Sequence, residues 1–507
     1  MVLLMYISYR KGANGTLYAT LMESVRKDGK SVKSKVEYLG VVVDKEKGIY
    51  RNRGRGTFVY DPATGQFGTP DWTDVPIPPK DINPRLNLDF GDGYLTHGVM
   101  WIEGLIDCIE AMGTGAEDTI MALTEFCILT DNLGMCNAKD WFEGNYASIL
   151  YPEADLRSQR ISDALMLIGD EQSHRDFFVK YLKTVAGDSD QLVAVDSKGV
   201  LNAIDIGLTE TSNHNGEVNI ELRLVMIVQL GTGLPLYFRV VPGNIVDAVT
   251  LMNTLEELRL LGVNTTFAVV DAGYCTLSNM DELFKARVNF VTRLRPNYKL
   301  FKDLVKGHPD VCTPENRTVH NGRLVYIQRT EVRLTDTNCG YAYICVDSDQ
   351  RHKEEKMLAS AYERGEISVG ELDERLESAG RFILVSSYMI YPEDVLDVYY
   401  MRQSAEQFFD LANGYANLTP LRVHSEEAVR GMMMLTFIAS SVIRRIQILL
   451  KGTLVPFRTA MLALRNQKCR IYGDTVLIDE PKKKAAIAYE KCCIESPSRL
   501  TVARNGH

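Results

Sequence analysis

Three acids in this chain stand where carboxylates could share metal ions. The segment Gln191–Gly199 reads QLVAVDSKG, an apolar run that ends in Asp196 before residues of turn composition. Thr266–Gly273, TFAVVDAG, repeats the pattern with Asp271. Short apolar runs rich in β-branched residues are expected as strands buried on both faces. An acid at the C-terminal end of such a strand sits where open α/β sheets place their ligands. A lone aspartate there more often caps a turn, so it is the recurrence that singles these two out. The third acid, Glu406, lies in a stretch of helical spacing. Two strand-end aspartates and a helical glutamate are the parts of a two-metal phosphoryl-transfer site. Converging carboxylates repel unless cations lie between them. An all-oxygen ligand set favours Mg²⁺, with Mn²⁺ able to substitute, over zinc.

The elements around these acids follow an order that would bring them together. After the first run come strands predicted over Asn202–Thr211, Asn219–Leu230 and Leu234–Val241, then a helix over Ala248–Leu261. The second run follows, then a helix over Ser278–Ala286 and a strand over Val288–Leu294. The order predicts a ribonuclease-H-like α/β sheet with the strands of Asp196 and Asp271 side by side. A long helix is predicted to begin near Pro392. On it Tyr399, Arg402, Glu406 and Asn413 would fall within about 60° of one face, at about 100° per residue, with Met401, Phe408 and Leu411 on the packing side.

At 507 residues the chain predicts two to four domains. Residues 1–60 read as a basic β-rich module with hairpin signals at Asn14–Gly15 and Asp28–Gly29 and a flexible loop carrying Arg51, Arg53 and Arg55. Residues 61–90, rich in Pro, Asp and Gly, read as a linker, and residues 91–188 as a helical domain. The ribonuclease-H-like core is expected in two parts, 189–295 and 381–450. An insertion domain of short strands and a charged helical stretch divides them at 296–380, between the second Asp and the Glu. Residues 451–507 read as a basic tail.

Composition narrows the partners. The net charge is −9, yet residues 1–60 hold 12 Lys/Arg against 5 Asp/Glu and residues 451–507 hold 11 against 5. The 390 residues between therefore carry −22. Basic ends around an acidic middle suit a protein that grips phosphates at its periphery and holds cations at its centre. The ten cysteines lack zinc spacing and suggest reduced thiols in a cytoplasmic protein. No apolar run reaches the roughly 18 residues of a membrane span, and the N-terminus lacks signal-peptide features.

Several segments together resemble bacterial insertion-sequence transposases of the DDE superfamily, in the branch with a β-rich insertion before the Glu. That branch has a Y-x2-R-x3-E-x6-K block, which Tyr399, Arg402 and Glu406 match. VDS at 195–197, LPLYFRVVPGNIVDAVTL at 234–251, VVDAGY at 269–274, LTPLRVHSEEAVRGMMMLTFIAS at 418–440 and YLG at 38–40 are similar to the same branch. The resemblance implies Asp196, Asp271 and Glu406 as catalytic metal ligands. It also implies Mg²⁺ as cofactor and double-stranded DNA, as element ends and target, as partner. It further implies a homodimer in the DNA complex and a nucleoid-associated location without a membrane. Water would cut the element's end and the freed 3′-hydroxyl would attack target DNA. In the family the Tyr, Arg and Lys of the block contact the end backbone; here Asn413 replaces the Lys, which weakens one phosphate contact. The alternative is a catalytically decayed or domesticated DNA-binding protein of the same fold.

Overall fold

The computed structural model describes residues 4–11, 17–27, 30–52, 55–70, 86–131, 133–187, 189–202, 204, 206–214, 217–245, 247–415 and 425–501. The hairpin signals at Asn14–Gly15, Asp28–Gly29 and Asn215–Gly216 lie outside the described residues. The chain forms two compact units: Met1–Leu95 with Trp141–Pro152 and Gly452–His507, and Thr96–Asp140 with Glu153–Lys451.

The first unit holds two sheets. Strands β1 (Leu4–Lys11), β2 (Leu17–Lys27), β3 (Lys30–Asp44), β4 (Ile49–Asn52), β5 (Gly56–Asp61) and β6 (Gln66–Gly68) make an antiparallel meander in chain order. Alternation puts Ala19, Leu21, Tyr50, Phe58 and Tyr60 into its apolar cluster, joined by Leu39. Of the arginines in the expected flexible loop, the two described ones are anchored. Arg51 lies within β4, donates to Thr57 (2.8 Å) and pairs with Asp474. Arg55 pairs with Glu37 (3.0 Å) and stands over the Phe67 ring. Arg53 lies outside the described residues.

Two further expectations for this unit need correction. Residues 61–90 contribute the end of β5, β6 and β7 (Leu86–Asp89), and residues 451–507 fold as well. β18 (Lys468–Tyr472), β19 (Thr475–Ile478) and β20 (Arg499–Thr501) pair with β7 in the order β20-β19-β18-β7. Lys483 and Lys484 open the helix Lys483–Lys491, with Lys482 at its N-cap. The physical reason is a small shared core: Leu88, Phe90, Tyr146, Cys469, Ile471 and Val476 bury against one another. At its edge the buried Asp92 accepts from Gly93 N–H (2.9 Å), Asn145 Nδ2 (3.2 Å) and Arg465 Nε (3.0 Å).

The second unit is built on one large mixed sheet. Its strands are β8 (Gln191–Leu201), β9 (Glu210–His214), β10 (Glu217–Gln229), β11 (Pro235–Pro242), β12 (Thr265–Val270), β13 (Asn289–Arg293), β14 (Arg317–His320), β15 (Arg323–Arg333), β16 (Cys339–Asp347) and β17 (Arg381–Ser386). The order is β11-β10-β8-β12-β13-β17-β16-β15-β14, with β9 added on β10. β8, β12 and β13 run parallel, linked by the crossover helices Asp247–Leu260 and Leu277–Lys285, and their flanking strands are antiparallel. The strands of residues 296–380 do not form a sheet of their own. β16 pairs with β17 and β15 with β16, so they extend this sheet, and Val325, Ile327, Tyr343 and Cys345 share one core with Val269, Val291 and Leu384.

The apolar helix Glu426–Leu449 is long and apolar enough to cross a membrane by length and composition, alone in this among the described residues, yet most of it is buried within this unit. It crosses the helix Ser158–Ile168 at two glycines. A Cβ on Gly431 would stand 1.9 Å from the Leu165 carbonyl oxygen, and one on Gly169 would stand 1.8 Å from that of Glu427. Only hydrogen side chains permit this approach.

Candidate active site

Register brings the two aspartates together. β12 runs parallel to β8 with Val269 opposite Ala194 and Val270 opposite Val195. Asp271 and Asp196 follow these pairs directly, so they are lateral neighbours on one sheet face. β8 does not end at Asp196, as the turn composition of Ser197–Lys198–Gly199 had predicted. It continues to Leu201 because β10 supplies the partner, pairing Met226 with Asp196 and Val225 with Ser197. The next strand, β9, begins only at Glu210.

The same sheet face carries the third acid's helix. Ile390, Val395, Leu396 and Tyr399 pack on Phe267, Val269 and Val291, which fixes the helix Val395–Tyr400 across the sheet. The expected single long helix is two: a turn at Met401–Arg402 separates Val395–Tyr400 from Gln403–Tyr415. Tight bonds mark the joint, from Arg402 N–H to Tyr399 O (3.2 Å) and from Ala405 N–H to Arg402 O (2.9 Å). The stripe therefore does not run along one straight face. Tyr399 is buried in the core and Met401 is exposed, the reverse of their expected places. The side chain of Asn413 lies outside the described residues.

Arg402 joins all three acids. Its Nη1 is 3.1 Å from Asp196 Oδ2 and 3.6 Å from Asp271 Oδ1, and its Nη2 is 3.0 Å from Glu406 Oε1. The guanidinium lies over the Tyr399 ring, 5.6 Å from its centroid. Exposure is graded: the side chains of Asp196 and Arg402 are 13% and 16% exposed, those of Asp271 and Glu406 39% and 49%. The site is thus closed at the sheet and open toward Glu406. Burial pushes the Asp196 carboxyl up to about 6; Arg402 and the Ser197 N–H oppose this, while Asp271 and Glu406 reinforce it. Burial likewise raises the Tyr399 phenol, to about 12.

Residues the sequence reading passed over hold the frame. Arg295 Nε donates to Ala272 O (2.7 Å) and its Nη2 to Gly273 O, while Thr292 Oγ1 donates to Asp271 O (3.3 Å). Together they fix the loop after β12. Lys198, two residues beyond Asp196 and so on its face of β8, stands over the Phe409 ring at 5.7 Å. The strand-face period could have flagged Lys198; nothing local flags Arg295.

The donor set suits a hard divalent cation, because it is three carboxylates. Among the described residues no three His, Cys, Asp or Glu side chains are disposed to hold one ion. The guanidinium supplies the countercharge instead. An ion of this kind would be held by Asp196, Asp271 and Glu406 once Arg402 moves aside. A cavity of about 490 Å³ elsewhere in this unit is lined by His174, Phe178, Tyr237, Arg239, Glu257 and Arg430, and by none of the three acids.

Residues 189–442, which span all three acids and Arg402, match the family model described as the transposase DDE domain. The chain belongs to that family. Among solved structures this DDE transposase is similar to the chain in "Cryo-EM structure of piggyBac transposase synaptic complex with hairpin DNA (SNHP)". The TM-score is 0.37 at 10% identity, covering 74% of this chain and 70% of that one. No curated protein matches this sequence.

Proposed function

We propose that this transposase cuts the ends of an insertion element and joins them to target DNA, using Asp196, Asp271 and Glu406 as one metal-dependent centre. The observation that carries the reading is the convergence of these three acids on Arg402 within the matched domain. The central strand order, with parallel β8, β12 and β13 flanked by antiparallel β10 and β11, supports a ribonuclease-H-like core. The strands of residues 296–380 are the β-rich insertion of the bacterial insertion-sequence branch, here continuous with the core sheet.

The chain's own residues account for orientation and charge. β8 and the Arg295-held loop present two carboxylates from a rigid sheet, and the helix Gln403–Tyr415 brings the third from above. Mg²⁺ or Mn²⁺, if held by Asp196, Asp271 and Glu406, would supply Lewis-acid activation of the attacking hydroxyl and stabilisation of the leaving oxygen. Buried Asp196 must be ionised to serve as a ligand, and its half-closed setting keeps bulk water from competing. Arg402, released from the acids and supported beneath by Tyr399, is then a bidentate donor for a DNA phosphate. Asn413 stands in the helix Gln403–Tyr415 where the family's Lys contacts the end backbone, and a neutral side chain there would supply a hydrogen bond in place of a charge. The substrate is double-stranded DNA, held by a homodimer in the nucleoid.

The test is cleavage of a duplex carrying the element's own ends. Asp196→Asn, Asp271→Asn and Glu406→Gln should each abolish nicking in Mg²⁺ or Mn²⁺ while leaving DNA binding intact. Undiminished nicking by any one of them removes that residue from the centre.

A further inference from the structure

We propose that one face of the N-terminal sheet, carrying Tyr6, Arg10, Lys33, Lys35 and Tyr38, is a contact surface for the phosphate backbone of duplex DNA. Residues directly opposite in an antiparallel sheet point to the same side, and the register assigns each one. Tyr6 is opposite Met22, which is opposite Lys35; Ser8 is opposite Thr20, which is opposite Tyr38. Arg10 faces Tyr18, and Ser24 faces Lys33. Asp44, at the far end of β3, lies opposite Ile49 and accepts from the Glu46 and Lys47 N–H groups. The acids beside the cations fall on the other side, Glu23 opposite Met5 and Glu37 opposite Leu21. That other side is also the one that buries Ala19 and Leu21 in the core.

The result is a patch of cations and tyrosines whose neighbouring strand acids, Glu23 and Glu37, point to the opposite side. Lys33 Nζ lies 6.0 Å from the Tyr6 ring centroid and Lys35 Nζ 5.2 Å from that of Tyr38. Arg10, Lys33, Lys35 and Tyr38 are exposed, and the three cations have no ion pair among the described residues. An exposed cation–π contact is worth only about 0.5–1 kcal/mol, and it orients each ammonium while leaving its N–H donors outward. Lys33 and Lys35 stand two residues apart on β3, roughly 7 Å, and Arg10 lies two strands away on β1, so three like charges spread over one face without an ion-pair partner among the described residues. A polyanion of regular charge spacing relieves all three at once, releasing counterions as it binds. The choice of DNA among polyanions rests on the transposase reading.

The experiment is binding of the full chain to a fluorescent duplex over a salt series. Arg10→Ala, Lys33→Ala and Lys35→Ala should each make the slope of log K against log salt shallower by about 0.9, and the triple variant by about three times that. Lys33→Arg should keep the wild-type slope, and so should Lys285→Ala, an exposed lysine already paired with Glu282. A triple variant with the wild-type slope overturns the assignment of this face while leaving the transposase reading standing. A wild-type chain that binds no duplex overturns both.

Discussion

Arg402 Nη1 lies 3.1 Å from Asp196 Oδ2, and this pair is the innermost contact of the acid cluster, with both side chains largely buried. The guanidinium thus occupies the ground that a divalent cation would claim, and it does so with one charge against three. On the proposed reading, a cation held by Asp196 would have to displace this guanidinium.

Removing the guanidinium should therefore expose the repulsion it masks. Arg402→Ala should destabilise the metal-free chain by about 1–3 kcal/mol, discounted for the partly exposed Asp271 and Glu406. Mn²⁺ should raise the melting temperature of this variant more than that of the wild type. Arg402→Lys should recover only part of the loss, since an ammonium cannot address three carboxylates with a planar fork. Equal melting of wild type and Arg402→Ala without metal, and equal Mn²⁺ shifts, would contradict the countercharge role.

The glycine crossing of Glu426–Leu449 over Ser158–Ile168 predicts a steric effect. Gly431→Ala places a methyl against the Leu165 carbonyl and should cost about 1–3 kcal/mol. Chemical denaturation measures it. Gly452→Ala is not a fair comparison because its φ is +85°, but Gly144→Ala, with nothing within 4 Å, should be nearly neutral.

Asp92 anchors three donors in the first unit. Asp92→Ala should cost about 2–3 kcal/mol, because Asn145 and Gly93 lose a buried acceptor while the partly exposed Arg465 finds water. Asp92→Asn should cost less, since burial already pushes this carboxyl above the usual range. Equal losses for both variants in a denaturant melt would mean that charge, not the acceptor, matters.

His174 gives the second unit a pH dependence. Burial first, and the Arg430 charge second, hold its ring down to about 4 from an ordinary 6.5. The unfolded chain binds the extra proton between those values. Stability from this ring is therefore complete above pH 6.5 and is lost as pH falls toward 4. His174→Phe should flatten that part of the stability–pH curve relative to wild type. An unchanged curve would show the ring to be solvated.

The legible parts of the site were those written in local pattern. Val193–Val195 and Phe267–Val270 show their strands by apolar, β-branched composition alone, and Asp196 and Asp271 stand out beside them. What could not be read depended on partners distant in sequence. Ser197–Lys198–Gly199 has turn composition, but β10 offers it a ladder and the strand continues. The helix break at Met401–Arg402 has no Pro or Gly to announce it, and it coincides with Arg402 reaching acids from two other strands. The C-terminal segment looked like a tail because each of its strands is short; its core exists only with Leu88, Phe90 and Tyr146 in place.

The most direct measurement is the cleavage rate of an element-end duplex by Asp196→Asn, Glu406→Gln and the double variant, side by side with wild type in Mn²⁺. If the acids form one centre, each single variant loses essentially all activity and the double variant loses no more, since residues acting as a unit are not additive. Losses that multiply in the double variant, or a single variant that cleaves at the wild-type rate, would contradict a shared catalytic site.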